Sequence, residues 1–284
     1  MSEEWWVTNG SVPLADLLGG STGSSSDLEL LEAVTRWPSI KSYHKMDEHG
    51  RLIDELRFPE IAGEAVYATE KVDGSNVRVV VDSLLRVSVG TRNQLVMFRG
   101  EAAAQDSMGV VGALRGLPRS LSISGRPSPG HVRAYYGELY GGAINGHGHY
   151  TQDKTRMQWA LFAIADFDIE ALSQLERAEI AARRRLLTTD GVHAEGRLGE
   201  YVMIHGGGED SPTVPYLGRR HAPPATVAEA AEWLAHVLGP VTRAAIGDAK
   251  PGKPEGVVIT GVESGLIAKL RVKDYEGALG RKII

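Results

Sequence analysis

A strand-like run, Val66-Tyr67-Ala68-Thr69, leads into Glu70-Lys71-Val72-Asp73-Gly74-Ser75-Asn76, and a second run opens at Val77. A lysine placed where one strand ends and the next begins has its side chain directed into a cleft. Such an amine becomes a nucleophile once partial burial and neighbouring cations bring its ordinary value of about 10.4 down far enough to free the lone pair. Gly74 permits the tight backbone that Asp73-Gly74 favours. Taken alone, the segment also fits a hairpin turn carrying a surface lysine.

The elements that must position this lysine are read from periodicity and punctuation. Val77–Val81 and Arg86–Val89 are predicted strands joined by a turn near Asp82-Ser83, and similar runs lie at 132–139, 159–167, 256–260 and 266–272. Leu28, Leu30, Leu31 and Val34 recur near one face of a predicted helix over 27–36, with Asp27 suited to its N-cap. Ser173 with Glu176 reads as a capping box opening a helix to about Leu187. Thr226 with Glu229 reads as another, stopped near Leu238 by Gly239-Pro240. Strands adjacent in sequence with helices inserted late predict an α+β fold of mostly antiparallel sheets with flanking helices. The low-complexity stretch Gly19–Ser26 reads as a linker, making residues 1–61 an N-terminal extension, with Trp5 and Trp6, and residues 62–284 the main domain.

Composition narrows the function classes. With 42% hydrophobic and 24% charged residues over 284 positions, the chain is neither disordered nor fibrous. The absence of cysteine excludes disulfide scaffolds, thiolate zinc sites and cysteine nucleophiles. No apolar run approaches the ~20 residues that span a bilayer, and the start lacks a secretory pattern, so a soluble, cytoplasmic protein with no membrane partner is expected. The net charge of −5 is unevenly spread: residues 1–70 hold 13 acids and 5 bases, whereas the remainder holds 26 bases and 23 acids. A local cationic surface can attract polyanions while the whole chain stays acidic. His147-Gly148-His149 lacks a third ligand and reads as a surface loop. His205-Gly206-Gly207-Gly208 reads as a connector, and Arg183-Arg184-Arg185 as a solvated helix face.

Further segments follow Lys71 in a fixed order. They are Gly90-Thr91-Arg92-Asn93, Tyr136-Gly137-Glu138-Leu139-Tyr140-Gly141, Ala165-Asp166-Phe167-Asp168-Ile169, Pro254-Glu255-Gly256-Val257-Val258-Ile259 and Ala268-Lys269-Leu270-Arg271-Val272-Lys273-Asp274-Tyr275. With Glu138, Phe167, Glu255 and Lys269 standing 67, 96, 184 and 198 residues after Lys71, the series resembles the motifs of the covalent nucleotidyltransferases, the polynucleotide ligases and mRNA capping enzymes. The form Glu-Lys-x-Asp-Gly-Ser-Asn is most similar to RNA ligases like the second RNA ligase of bacteriophage T4. The resemblance spans residues 62–276 and implies a nucleotidyltransferase domain, the ATP-grasp-like ligase catalytic fold.

The resemblance implies that Lys71 takes AMP from ATP, that AMP passes to a 5′-phosphate end, and that a 3′-hydroxyl displaces it to seal RNA or an RNA-containing nicked duplex. It implies Arg92 and Glu138 at the ribose, Phe167 stacked on adenine, Glu70 and Asn76 at the nucleotide, and Glu255 on magnesium or manganese. Lys269, Arg271 or Lys273 would supply charge to the phosphates, as phosphoryl transfer requires. If alternate residues of the last strand share one face, all three point inward. The family commonly has Lys-x-Lys where this chain has Lys269-Leu270-Arg271, and arginine keeps the charge but does not lose a proton. Only nine residues follow Tyr275, so no C-terminal OB-fold or helical domain is expected, and an accessory protein in its place stays open. The rival expectations are a minimal ATP-dependent DNA ligase, a GTP-specific capping enzyme and a non-catalytic nucleotide- or RNA-binding module of the same fold.

Overall fold

The computed structural model describes residues 12–13, 25–115, 122–123, 126–142, 144, 149–205, 213–247 and 250–284. Trp5, Trp6, the linker from Gly19 to Ser24, His147, Gly148 and the glycines at 206–208 lie outside the described residues. In chain order the strands are β1 (Val12–Pro13), β2 (Lys41–Ser42), β3 (His44–Met46), β4 (Leu52–Leu56), β5 (Ala65–Lys71), β6 (Ser75–Asp82), β7 (Val87–Thr91), β8 (Leu95–Phe98), β9 (Glu101–Ala102), β10 (Ser122–Ile123), β11 (His131–Gly141), β12 (Met157–Asp168), β13 (Glu200–Met203), β14 (Tyr216–His221), β15 (Gly256–Gly261) and β16 (Ile267–Arg271). The α-helices are α1 (Ser25–Thr35), α2 (Val110–Arg115), α3 (Ile169–Ser173), α4 (Arg177–Thr189), α5 (Val227–Leu238) and α6 (Val272–Leu279).

The fold is α+β, built on two sheets. An antiparallel sheet of seven strands runs in the order β13-β12-β11-β6-β7-β8-β9. A five-stranded sheet runs β14-β5-β15-β16-β2, antiparallel except that β2 joins β16 in parallel. β-branched residues buried on both faces explain the centre of the larger sheet. In β6, Val77, Val79 and Val81 pack with Val87, Val89 and Trp159 on one face, while Val80 turns to Trp37, Tyr136 and Phe167 on the other. The second core carries Ile267 of the smaller sheet as well, so it lies between the sheets. Behind the smaller sheet, α5 buries Val227, Ala230, Ala231, Leu234, Val237 and Leu238 against Val66, Ala68, Val257 and Ile259. That 3–4 spacing is the apolar stripe of a surface helix.

Several expectations change. β5 and β6 belong to different sheets, so Val72–Gly74 is a crossover between layers and not a hairpin turn. The expected division near residue 61 does not hold for residues 25–61. Leu31, Val34 and Trp37 are in the inter-sheet core, and Lys41 and Ser42 pair with Ala268 and Lys269. Ser173 closes the short helix α3, which Asp168 caps through the Ala171 amide; α4 then starts after Glu176, whose side chain makes no cap bond. The second capping box is present, with the Thr226 hydroxyl accepting from the Glu229 amide at 3.3 Å. The final strand stops at Arg271 and helix α6 begins at once. Among the described residues, no helix is long and apolar enough to cross a membrane.

His44, fully buried, ties β3 to the C-terminal helix: Nδ1 lies 2.8 Å from the Tyr275 hydroxyl and Nε2 lies 2.8 Å from the Ala225 carbonyl. A carbonyl only accepts, so Nε2 carries the proton and Nδ1 accepts from Tyr275. Burial lowers the His44 value, opposed by the Ala225 bond and the charge of Asp54. The unfolded chain therefore binds this proton more readily, and the stability His44 contributes is full above its ordinary value of 6.5 and lost as pH falls below it. Thermal unfolding from pH 8 to pH 5 should show a decline that His44→Gln shares only in part, with Gln costing about 1–3 kcal/mol at pH 8 through lost hydrogen bonds. Parallel pH curves for the two proteins would reject this role.

Candidate active site

Lys71 ends β5 and Glu255 immediately precedes β15, and the two strands pair with Gly256 opposite both Lys71 and Arg271. The register brings two residues 184 positions apart into contact: Lys71 Nζ donates to Glu255 Oε2, with the side chains only 23% and 15% exposed. Strand alternation puts Thr69, Lys71, Val258 and Lys269 on one face, toward the cavity between the sheets. Asn76 and Glu138 face it from the larger sheet, where β6 and β11 pair them directly. The crossover between Lys71 and Asn76 presses against β11. A Cβ on Gly74 would sit 2.3 Å from the Leu139 carbonyl oxygen, so no larger residue fits. The Tyr150 hydroxyl accepts the Asp73 amide at 2.5 Å and holds the same loop.

The cavity has charged and apolar lining: Lys71, Arg92, Glu138 and Lys269 supply the first, and Trp37, Ile40, Phe162, Ile204, Val214 and Val258 the second. Trp37 also stacks edge-on against Phe162, with centroids 5.0 Å apart. Burial pushes the Glu138 carboxyl up to about 7; Lys71 and Arg92 pull it down, while Glu255 and Asp73 push it further up. Lys269 is lowered from the ordinary lysine range, first by burial and then by the charges of Arg271, Lys71 and Arg92. Lys71, Arg92, Glu138 and Lys269 thus share the cavity lining, and both Glu138 and Lys269 feel the charges of Lys71 and Arg92.

Four expected residues stand elsewhere. Phe167 is fully buried in the inter-sheet core, its ring edge-on to Tyr201 at 5.8 Å, and it does not line the cavity; Phe162 does. Glu70 contributes to the cavity wall, but strand alternation turns its carboxylate to the opposite side. There it accepts from the Thr242 hydroxyl and, at 2.8 Å, from the Arg243 amide, so it anchors the loop after α5. Lys273 is exposed in the first turn of α6, because the strand that would have turned it inward ends two residues earlier. Arg271 holds Asp274 with two bonds of 2.8 and 2.9 Å and lies beside the cavity without lining it. Lys71, Asn76, Arg92, Glu138 and Lys269 line the cavity together, and Glu255 is bonded to Lys71. Trp37 and Phe162 were missed: each is an apolar residue whose sequence context reads as core.

The donor set suits a nucleoside triphosphate with a divalent cation. Asn76 Oδ1 is buried in the wall with no hydrogen-bond partner among the described residues, an acceptor waiting for a donor. Lys71, Arg92 and Lys269 bring positive charge to this cavity, and Trp37 and Phe162 bring aromatic rings. Among the described residues no group of three His, Asp or Glu side chains forms a protein-only metal cage. A hard cation held by Glu255 would take its remaining oxygens from phosphate and water, as magnesium commonly does.

A family model described as RNA ligase matches residues 64–271. A comparison with curated proteins found no match. Among solved structures, the chain is similar to Naegleria gruberi RNA ligase with PPi, at 18% identity and a TM-score of 0.42, covering 90% of this chain and 63% of that one. It is also similar to a variant of that ligase with ATP and Mn, at 18% identity and a TM-score of 0.40, covering 82% and 57%. The chain therefore spans between 57% and 63% of the length of these two solved chains.

Glu138 gives this site a measurable signature. Its carboxyl carbon should titrate near pH 7 by NMR, and Lys71→Met should raise the midpoint, because the ammonium is the largest charge holding it down. A folded value above the ordinary 4.5 means the folded state holds this proton longer, so the wild type loses stability as pH rises from about 4.5 to about 7. Glu138→Gln should escape that loss. A midpoint near 4.5, unmoved by Lys71→Met, would show the carboxyl to be solvated and remote from the lysine.

Proposed function

Because the chain belongs to the RNA ligase family, we propose that it is an ATP-dependent RNA ligase, joining 5′-phosphate and 3′-hydroxyl ends through AMP carried on Lys71. The observation that carries this reading is the convergence of Lys71, Glu138, Arg92 and Lys269 on one cavity from four separate segments, with Glu255 bonded to Lys71. In the first step the neutral Lys71 amine attacks the α-phosphorus of ATP: a nitrogen–phosphorus bond forms, the bond to the β-phosphate breaks, and pyrophosphate leaves with the electron pair. In the second, a 5′-phosphate oxygen attacks the same phosphorus and Lys71 departs as the amine, leaving AMP on the strand. In the third, a 3′-hydroxyl attacks the strand's 5′-phosphorus, AMP leaves, and a phosphodiester remains.

The residues divide these tasks. Lys71 supplies the nucleophile and must first lose an ammonium proton, one of which it donates to Glu255. Lys269 and Arg92 supply positive charge where the phosphoryl oxygens gather charge, in a partly dry site where such contacts are strong. Glu138 and Asn76 offer acceptors to sugar hydroxyls. Phe162 and Trp37 form the apolar face for the base. Magnesium or manganese held by Glu255 would neutralise triphosphate charge and engage the carboxylate that now pairs with Lys71.

Lys71→Ala should abolish sealing of ordinary 5′-phosphate ends yet retain sealing of a strand supplied with AMP on its 5′ end, since the amine acts only before that point. Lys269→Ala should impair both. The assay should favour nicks containing RNA over an all-DNA nick, and labelled ATP over GTP; preference for the all-DNA nick would make the enzyme a DNA ligase. The two phenylalanines should separate. Phe162→Ala should weaken ATP binding by about 1–3 kcal/mol, the worth of a base stacked on an aromatic ring. Phe167→Ala should cost about 3–5 kcal/mol of stability, as core truncations do, while the folded fraction binds ATP normally. Reversal of these two phenotypes would return the stacking role to Phe167.

A further inference from the structure

The turn between β7 and β8 carries Arg92 to the cavity, and its backbone is held from outside the turn to an unusual degree. Arg78 is fully buried, and its Nη1 donates to the carbonyls of Thr91 and, at 3.3 Å, Arg92. Arg36, at the C-terminal end of α1, donates from Nη2 to the Asn93 carbonyl at 2.6 Å. Glu32, one turn earlier, accepts the Leu95 amide at 3.2 Å through one oxygen and holds Arg36 at 3.1 Å through the other. Three consecutive carbonyls are thus taken by two guanidiniums, and the next amide but one by a carboxylate bonded to the nearer of them.

Burying a guanidinium is costly, and here burial lowers Arg78 to about 10, with Tyr136 and Glu32 raising it and the charges of Arg36 and Arg184 lowering it further. A core position that needed only packing would be filled by an aliphatic residue, as neighbouring Val77, Val79 and Val80 are. Gly90 makes room for it: a Cβ there would lie 3.2 Å from Arg78 Cζ and 2.8 Å from the Gln94 carbonyl oxygen. The arrangement spends a buried charge on the conformation of one exposed turn, and the residue at that turn facing the cavity is Arg92.

We propose that Arg36 and Arg78, braced by Glu32, are positioning residues that fix the Thr91–Gln94 backbone so that Arg92 points at the bound nucleotide. The proposal rests on the nucleotide-binding reading given above, and it makes helix α1, which precedes every recognised motif, part of the nucleotide site. Neither arginine touches the ligand; both act through Arg92. Holding the turn in advance spares the ordering cost that a free loop arginine would bear on binding.

Arg36 is the better probe, because it is partly exposed and its replacement leaves the core intact. Titration with α,β-methylene ATP and magnesium, which gives affinity without turnover, should show Arg36→Met binding about tenfold more weakly than wild type. Arg36→Lys, which still reaches the Asn93 carbonyl, should recover part of that loss. In an Arg92→Ala background, Arg36→Met should have almost no further effect, since there is no side chain left to aim. Amide exchange at Thr91 and Leu95 should quicken in Arg36→Met without ligand, while β6 and β11 keep wild-type protection. Additive losses in the double variant, or unchanged affinity and exchange, would overturn the clamp. Arg78→Lys offers a second test through the same cycle if it folds. A wild-type protein that binds the analogue and obeys the cycle but never forms lysyl-AMP would remove the ligase reading and leave the clamp standing.

Discussion

The contact between Lys71 and Glu255 is the constraint on which the rest of the structure turns. An ammonium and a carboxylate in a partly dry cleft offset one another's lost hydration, and loss of either leaves the other uncompensated. To meet, they require that β5 and β15 be neighbours and end at the same level, which fixes the register of the five-stranded sheet. They also require a face left open to the cavity while the opposite face packs on α5. Glu70 and Lys71 show the consequence within one dipeptide: adjacent residues of one strand point to opposite sides, one to a helix-covered core and one to chemistry.

The second sheet completes the site because the chain crosses between layers in the three residues after Lys71. That crossover brings Asn76 opposite Glu138 and requires Gly74, whose missing side chain lets the loop touch β11. The charged groups then tune one another. Lys71 and Arg92 restrain the rise of the Glu138 carboxyl, and both cations depress Lys269. The cavity thus holds Lys71, Arg92 and Lys269 among their neighbours before any ligand arrives, the kind of fixed charge on which the proposed phosphoryl transfer would draw.

Much of this was legible in the sequence, for identifiable reasons. Lys71 and Glu255 sit at strand ends and Glu138 and Lys269 within strands, each in a short segment where residue type and order carry the information, and β-branched runs announce β5, β6 and β15. The failures have local causes and long-range ones: local pattern reports neither which layer a residue faces nor where a strand gives way to a helix. Phe167 and Phe162 stand on the same strand, and a register shift against β11 at Phe162, with the packing of β12 against Trp37 and Tyr201, separates the ring that lines the cavity from the one that does not. Lys273 continued an alternation that α6 interrupts, and the hydrophobic Val272 and Tyr275 serve equally well in strand or helix. Residues 25–61 looked separable because a Gly/Ser-rich stretch precedes them. Trp37, Lys41 and Arg36 join the domain through pairings with residues 57 or more positions away, beyond the reach of any local signal.

The central claim is that Lys71 is the residue that carries AMP. The protein should be incubated with ATP and magnesium, digested, and its peptides sequenced by mass spectrometry under conditions that preserve an acid-labile nitrogen–phosphorus bond. The account predicts AMP on Lys71 alone, lost on mild acid and restored by fresh ATP. AMP on any other residue, or a folded protein that binds ATP and yields no adduct, would contradict it.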